Sequence, residues 1–465
     1  MLQWLKNYKV EVIALLVGVL LGVLGFRFPV ATVLKAVGAV TLLILVLYKV
    51  EIAVFLVILL APFITTMQLI GLIVLGIISF VIKLFISKDD CMIKTTPLSL
   101  PSVLFMVMVV YSSITSFSPR SSIFIALMYA SFILFSMLAA NTIKTKGQLR
   151  ILIILFVLCG FIVSLYGIYQ YYMADYMGFM AAHSWIDEEM FEDIRTRVYS
   201  TFDNPNVLGE YLVLLIPISI ALLWTQKKGI PRLFFGIVTI AMGICLIYTS
   251  SRGSWLGLLL AIAVFAVLRD KRLIMLAIGG LLMLPFILPR SIINRFSSIG
   301  NLQDTSSAYR LSIWIGSLKV IREYWPSGIG LGSDAFIKIY PRYALSGAAF
   351  ALHAHNIYLQ ILVETGITGF LAFLFLLLMF YKSIFSSYWR TEDKFLSTLM
   401  IALCAGVTGY LFQGLVDNIW YNYRVMLIFW IILSFAMAAH RLTNEDTGEE
   451  EQARPARMES QDVVE

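Results

Sequence analysis

The sequence predicts an all-α polytopic integral membrane protein, and three observations carry that reading. Apolar residues fill 60% of the 465 positions and charged ones only 14%, where soluble chains average about 45–50% and about 25%. Apolar runs long enough to cross a hydrocarbon core of about 30 Å recur from end to end. Lysine and arginine crowd alternate short turns between those runs, as they do on the cytoplasmic side of membranes. A membrane β-barrel would instead need alternating segments of about ten residues.

The interruptions mark about fourteen spans. Those near 11–27 and 30–48 are separated by Phe28-Pro29. The first is not read as a cleavable leader, because no small-residue cleavage site follows and the second span starts at once. Lys49 precedes spans near 51–66 and 68–86, and Lys83, Lys88 and Lys94 close them. Arg120 separates 101–117 from 121–140, and Lys144, Lys146 and Arg150 precede 149–172. A long loop near 173–205 leads to 206–225, and Lys227, Lys228 and Arg232 to 232–248. Arg252 opens 252–268, and Arg269, Lys271 and Arg272 precede 272–289. After a second long loop come spans near 357–381, 397–414 and 421–439, with Lys382, Arg390 and Lys394 after the first of them.

With the N-terminus inside (Lys6, Lys9), one register fits every short loop and puts both long loops outside the cytoplasm. The chain divides into N-terminal transmembrane helices (1–289), a large extracytoplasmic loop with an amphipathic helix (290–356), C-terminal transmembrane helices (357–440) and an acidic cytoplasmic tail (441–465). The tail's composition marks it as disordered.

The net charge of +7 follows from these topology signals and from contact with anionic headgroups; it gives no reason to expect nucleic-acid binding. The four cysteines, Cys91, Cys159, Cys245 and Cys404, are scattered and form no disulfide framework or CxxC metal signature.

Polar side chains that resist a bland reading lie at the ends of the spans. The first long loop carries carboxylates at 187–193 and ends in Asp203-Asn204-Pro205-Asn206. The carboxylates could hold a divalent cation, but no pair has a diagnostic spacing and a solvated helix is the better account. Asn-Pro marks a turn and Asn206 can cap the next helix. Capping explains one polar side chain, so Asn204 and Asn206 become candidates for substrate contact.

Arg252, in Thr249-Ser250-Ser251-Arg252-Gly253-Ser254, sits in a turn with hardly any loop. A guanidinium there costs several kcal/mol unless an anion or carbonyls receive it, and its planar fork suits phosphate. Arg310 opens a second candidate site. It starts an amphipathic helix in which Leu311, Trp314, Leu318, Ile321 and Trp325 recur at helical spacing; that helix is expected on the bilayer surface or over the bundle. The glycine-rich Ser327–Gly332 lacks the strand and spacing of a nucleotide loop and is read as a permissive turn.

His353-Ala354-His355-Asn356 lies where a span begins. Histidine titrates near neutral pH, and ionisable groups at such a boundary are functional candidates. Histidines at i, i+2 suit a metal poorly on a helix, and no nearby cysteine or carboxylate completes a ligand set. A hydrogen-bonded structural pair is one alternative. A general base is favoured, since neutral imidazole can take a proton from an attacking hydroxyl.

The segment from about Thr201 to Gly369 resembles the O-antigen ligase and Wzy-type polymerase superfamily. The likeness rests on residues 200–212, 249–257, 328–343 and 353–369, the last with His355, Asn356 and Gly366 in the family's His-Asn, nine residues, then Gly pattern. Arg252 corresponds to the family's arginine between two spans, and Arg310 to a second. The resemblance implies a GT-C-like bundle of about 12–14 helices in the bacterial cytoplasmic membrane. It implies metal-independent, inverting transfer of glycan from an undecaprenyl-diphosphate-linked donor to a glycan, lipid or protein acceptor, without cofactor. His355 would be the base; Arg252, Arg310, Asn204, Asn206, His353 and Asn356 would contact substrate. The alternative is a transporter of small anions such as bicarbonate, which would place polar groups near the bilayer midplane and break its helices there.

Overall fold

The computed structural model describes residues 18–19, 22–86, 94–177, 197–272, 274–275, 278–279, 293 and 305–461. Its helices are α1 (Val30–Tyr48), α2 (Val50–Leu60), α3 (Thr66–Ile86), α4 (Ser99–Ile114), α5 (Pro119–Thr142), α6 (Lys146–Met177), α7 (Pro205–Thr225), α8 (Ile230–Tyr248), α9 (Arg252–Arg269), α10 (Thr305–Tyr324), α11 (Ser333–Ile339), α12 (Ile357–Arg390), α13 (Lys394–Gln413) and α14 (Tyr423–Gln461). Among the described residues there is no strand, and ten helices are long and apolar enough to cross a membrane, with α2 and α4 shorter apolar helices. The chain is an all-α polytopic membrane protein. The spans expected near 11–27 and 272–289 lie largely outside the described residues.

Helix boundaries follow local chemistry. Proline opens α5, α7 and α8, where a missing N–H costs nothing. Side-chain carbonyl or carboxylate oxygens of Asn204, Asn356 and Asp393 cap α7, α12 and α13. The most enclosed helices are α7, α13 and α14, whose apolar windows are 83%, 83% and 89% buried, against 6% for α1; these three make the centre of the bundle. Against them α9 packs at van der Waals distance: a Cβ on Gly257 would stand 2.6 Å from the Gly409 carbonyl oxygen, the close backbone approach that small residues permit in membranes. One turn earlier, Gly253 faces Val416, so the start of α9 abuts the turn after α13.

In α10, expected on the bilayer surface or over the bundle, Ile313, Ser317 and Val320 are buried, Trp314 and Ile321 half-buried, and Leu311, Leu318 and Trp325 exposed. The inward face packs with Phe336, Ile339, Tyr340 and Ala354 into a second, smaller core. The span expected near 357–381 is not one continuous helix: Gly366 breaks α12 with φ 66° and ψ −169°. Trp325 and Pro326, at the end of α10, fill the break, and Ile367 N–H donates to the Trp325 carbonyl at 2.8 Å.

At the other end, α14 continues past 440 into the acid-rich segment whose composition marks disorder. Its first turn there is anchored by Glu445, which pairs with Lys94 at 2.7 Å and lies 3.7 Å from Arg441.

Candidate functional site

The His353-Ala354-His355 bend is strapped to the turn after α13. Asn356 Oδ1 caps α12 by accepting from the N–H groups of Tyr358 and Leu359, while its Nδ2 donates to the Leu415 carbonyl at 2.8 Å. Ile357 N–H donates to the Gly414 carbonyl, also at 2.8 Å. His355 adopts the left-handed region, φ 45°, which for a non-glycine residue persists only where the surroundings hold it. Its N–H donates to His353 Nδ1 at 3.2 Å and its carbonyl accepts from Trp314 Nε1 at 3.3 Å. The two imidazoles lie 4.0 Å apart, with the Tyr421 ring 4.4 Å from that of His353.

This bend sets His355 against a residue no motif pointed to. His355 Nδ1 lies 3.3 Å from Asp417 Oδ1, which also accepts from the Asn418 N–H at 2.9 Å. Asp417 Oδ2 accepts from Asn206 Nδ2 at 3.3 Å, and Asn206 Oδ1 from Arg197 Nη2 at 2.8 Å. Arg197 Nε donates to the Thr249 carbonyl at 3.0 Å, tying the chain of contacts to the turn before Arg252. Four separate segments thus converge on one imidazole.

Electrostatics fix the protonation of its neighbours. Burial pushes the Asp417 carboxyl up, but the His355 hydrogen bond, the Arg310 guanidinium and both imidazoles together hold it well below the usual carboxylate range. Asp417 is therefore ionised at neutral pH. As a pure acceptor it favours, for a neutral His355 ring, the tautomer with the proton on Nδ1. His353 is held down at about 3, first by burial, then by His355 and Arg310, with Asp417 opposing; it stays neutral. His355 keeps 27% of its side-chain surface and Asp417 14%, so the imidazole is the more exposed of the pair.

The structure brings His353, His355, Asn206 and Arg310 into one cluster around Asp417. Arg310 is half-buried at the start of α10, and the neighbouring Tyr309 ring lies 6.4 Å from that of His355. Arg252 is half-buried at the first position of α9, after the buried Thr249-Ser250-Ser251 turn, in which Ser250 has φ 52°. Asn204 and Asn356 serve as helix caps, the first accepting from Asn206 N–H at 2.8 Å. Asp203 pairs with Arg424 at 3.3 Å, and that guanidinium lies over the Phe202 ring. The carboxylates at 187–193 lie outside the described residues.

Asp417 and Arg197 escape motif reading. The signal for Asp417 was the one that singled out the histidines, an ionisable group where a span begins. Its position removes the premise that no carboxylate completes a ligand set: the donor atoms of His353, His355 and Asp417 lie within 4.8 Å of one another, and among the described residues this is the group that could hold a metal ion. In the structure His355 Nδ1 meets Asp417 and His353 Nδ1 accepts from the His355 N–H.

Residues 237–374 match the family model described as O-antigen ligase. No curated protein matches the chain. The matched stretch includes Arg252, Arg310, His353, His355 and Gly366, and it stops short of Asp417. Over residues 237–374, within a bundle of membrane helices, the chain is thus similar to the O-antigen ligase family.

Proposed function

We propose that the protein is a glycosyltransferase that moves glycan from an undecaprenyl-diphosphate-linked donor onto an acceptor hydroxyl, on the extracytoplasmic face of the bacterial cytoplasmic membrane. The observation that carries the reading is the His355–Asp417 pair with Arg310 beside it: a base, the carboxylate that orients it, and a cation for the leaving group.

His355 Nε2 accepts the proton of the acceptor hydroxyl as that oxygen forms a bond to the anomeric carbon. The bond from that carbon to the diphosphate oxygen breaks, its electron pair passes to the diphosphate, and the configuration inverts. Asp417 supports the imidazolium through Nδ1–H. Arg310 and Arg252 bind the diphosphate and offset the charge it gains on leaving. Asn206 and Arg197 keep Asp417 aimed at the ring, and neutral His353 packs beside it, tilted by 50°, without adding a competing cation. The guanidinium groups take the part a divalent cation plays at many phosphate sites, so no metal is required.

Reconstituted protein with a native lipid-linked donor and acceptor tests this reading. His355→Ala is expected to lower transfer by at least about 10²-fold, the scale of general-base catalysis, while inserting normally. Excess chelator is expected to leave wild-type transfer unchanged. Full activity in His355→Ala refutes the base assignment; loss on chelation with recovery on adding a divalent cation transfers His353, His355 and Asp417 to a metal role.

A further inference from the structure

The histidine bend depends on a polar chain that runs away from the reacting groups into the protein. The buried Ala354 N–H donates to Gln360 Oε1 at 2.7 Å. An amide that turns its oxygen to that N–H must turn its nitrogen the other way, and there Gln360 Nε2 donates to Glu364 Oε1 at 2.7 Å. The same carboxylate oxygen accepts from the Gly332 N–H at 2.9 Å. Glu364 is itself held from several sides. Its backbone carbonyl accepts from Gly330 N–H and from Ser112 Oγ, and Ile329 N–H donates to the adjacent Val363 carbonyl. A Cβ on Gly328 would run into that Glu364 carbonyl, so the glycine-rich turn must lack side chains to lie this close.

We propose that Glu364 is a positioning residue for the histidine bend. It fixes the orientation of Gln360, Gln360 holds the Ala354 N–H, and His353 and His355 are thereby kept in register with each other and with Asp417. The glycine-rich turn, which is no nucleotide loop, is the strap on which Glu364 is seated. The consequence for transfer rests on the reading of His355 as the base; the geometry of the bend does not.

A cavity of about 20 Å³ next to His353 is lined by Gln360, Glu364, Ser333, Tyr421 and Tyr423. It has room for a single water and none for a larger reagent. Diethyl pyrocarbonate, which acylates neutral imidazole, therefore reads the bend without any substrate. Full-length protein in nanodiscs is labelled at neutral pH and each histidine is quantified by peptide mass spectrometry. His440, whose ring meets Ser387 between α12 and α14, is the internal reference.

In the wild type His355, with 27% of its side-chain surface exposed, is expected to label and the buried His353 to be protected. Glu364→Leu is expected to raise His353 labelling at least about fivefold with His440 unchanged, the effect of freeing one buried hydrogen-bonded link. Glu364→Gln keeps an acceptor for both Gln360 and Gly332 and is expected to stay within about twofold of wild type. Gln360→Met should match Glu364→Leu, and the double variant should exceed neither single one, since both cut the same chain. Should Glu364→Leu fail to insert, Gln360→Met against wild type carries the comparison. Unchanged His353 labelling in the variants that insert, equal labelling in Glu364→Gln and Glu364→Leu, additivity in the double variant, or a parallel rise at His440 overturns the proposal. Because labelling needs no donor, absence of glycan transfer in the wild type would defeat the functional reading and leave this result intact.

Discussion

The imidazole of His355 meets the carboxylate of Asp417 at 3.3 Å across 62 positions of sequence. The pairing joins the start of α12 to the turn that follows α13, and Asn206 at the start of α7 completes it through the second carboxylate oxygen. An imidazole that would otherwise rotate freely at a membrane boundary is given one direction.

Arg252→Lys tests the diphosphate role. Lysine keeps the charge but replaces a planar two-pronged donor by a point charge. Donor turnover in reconstituted protein is expected to fall at least about tenfold, the scale of one charge-assisted hydrogen bond. Near-normal turnover would remove Arg252 from the leaving-group site.

The burial of His353 predicts a pH-dependent stability with a definite sign. Its folded value, about 3, lies below the ordinary value of about 6.5, so between these limits the unfolded chain binds a proton that the folded chain refuses. Stability is therefore full above about pH 6.5 and falls as pH drops, by up to about 1.4 kcal/mol per unit. Asp417 does not contribute between pH 7.5 and pH 5: its stabilisation is present above about pH 4 and is lost only as pH falls further toward its depressed folded value. Melting temperatures in nanodiscs at pH 7.5 and pH 5 should show a larger drop for the wild type than for His353→Gln. Parallel drops would mean that His353 is not held neutral.

Gly366→Ala probes the break in α12. The residue has φ 66°, and a Cβ would stand 2.7 Å from the carbonyl oxygens of both Trp325 and Pro326. The expected loss of stability is about 1–3 kcal/mol. Gly347→Ala is the control, since Gly347 also has positive φ but nothing within 4 Å. A melting temperature for Gly366→Ala no lower than that for Gly347→Ala would show that α10 does not seat in the break.

The fold was legible where composition and charge decide it. Lys49, Arg120, Lys144 and Arg252 each mark an interruption that the structure also has, because burying a charge in hydrocarbon costs more than ending a helix. That His353, His355 and Arg310 belong near one another could be suspected for the same reason, and the structure clusters them around Asp417. Asp417 was not legible, because its partner lies far along the chain and the pairing depends on how α12 and α13 end together. The inward face of α10 was not legible because apolar spacing cannot distinguish a face toward protein from one toward lipid; Ile313 and Val320 are buried, Leu311 and Leu318 exposed. The break at Gly366 comes from tertiary contact, Trp325 and Pro326 filling a gap that no local signal within the span announces.

The most direct test of the His355–Asp417 base is the acceptor-dependent release of undecaprenyl diphosphate from a saturating lipid-linked donor in proteoliposomes, compared between wild type and Asp417→Asn. Asparagine keeps the shape and can offer its amide hydrogens to His355 Nδ1, which favours the wrong tautomer. The expected result is a fall of about 10²-fold or more in the rate at saturation, with the donor concentration at half-maximal rate little changed. A rate for Asp417→Asn within about twofold of wild type would contradict the account, because a base that needs no orienting carboxylate is not the one this geometry describes.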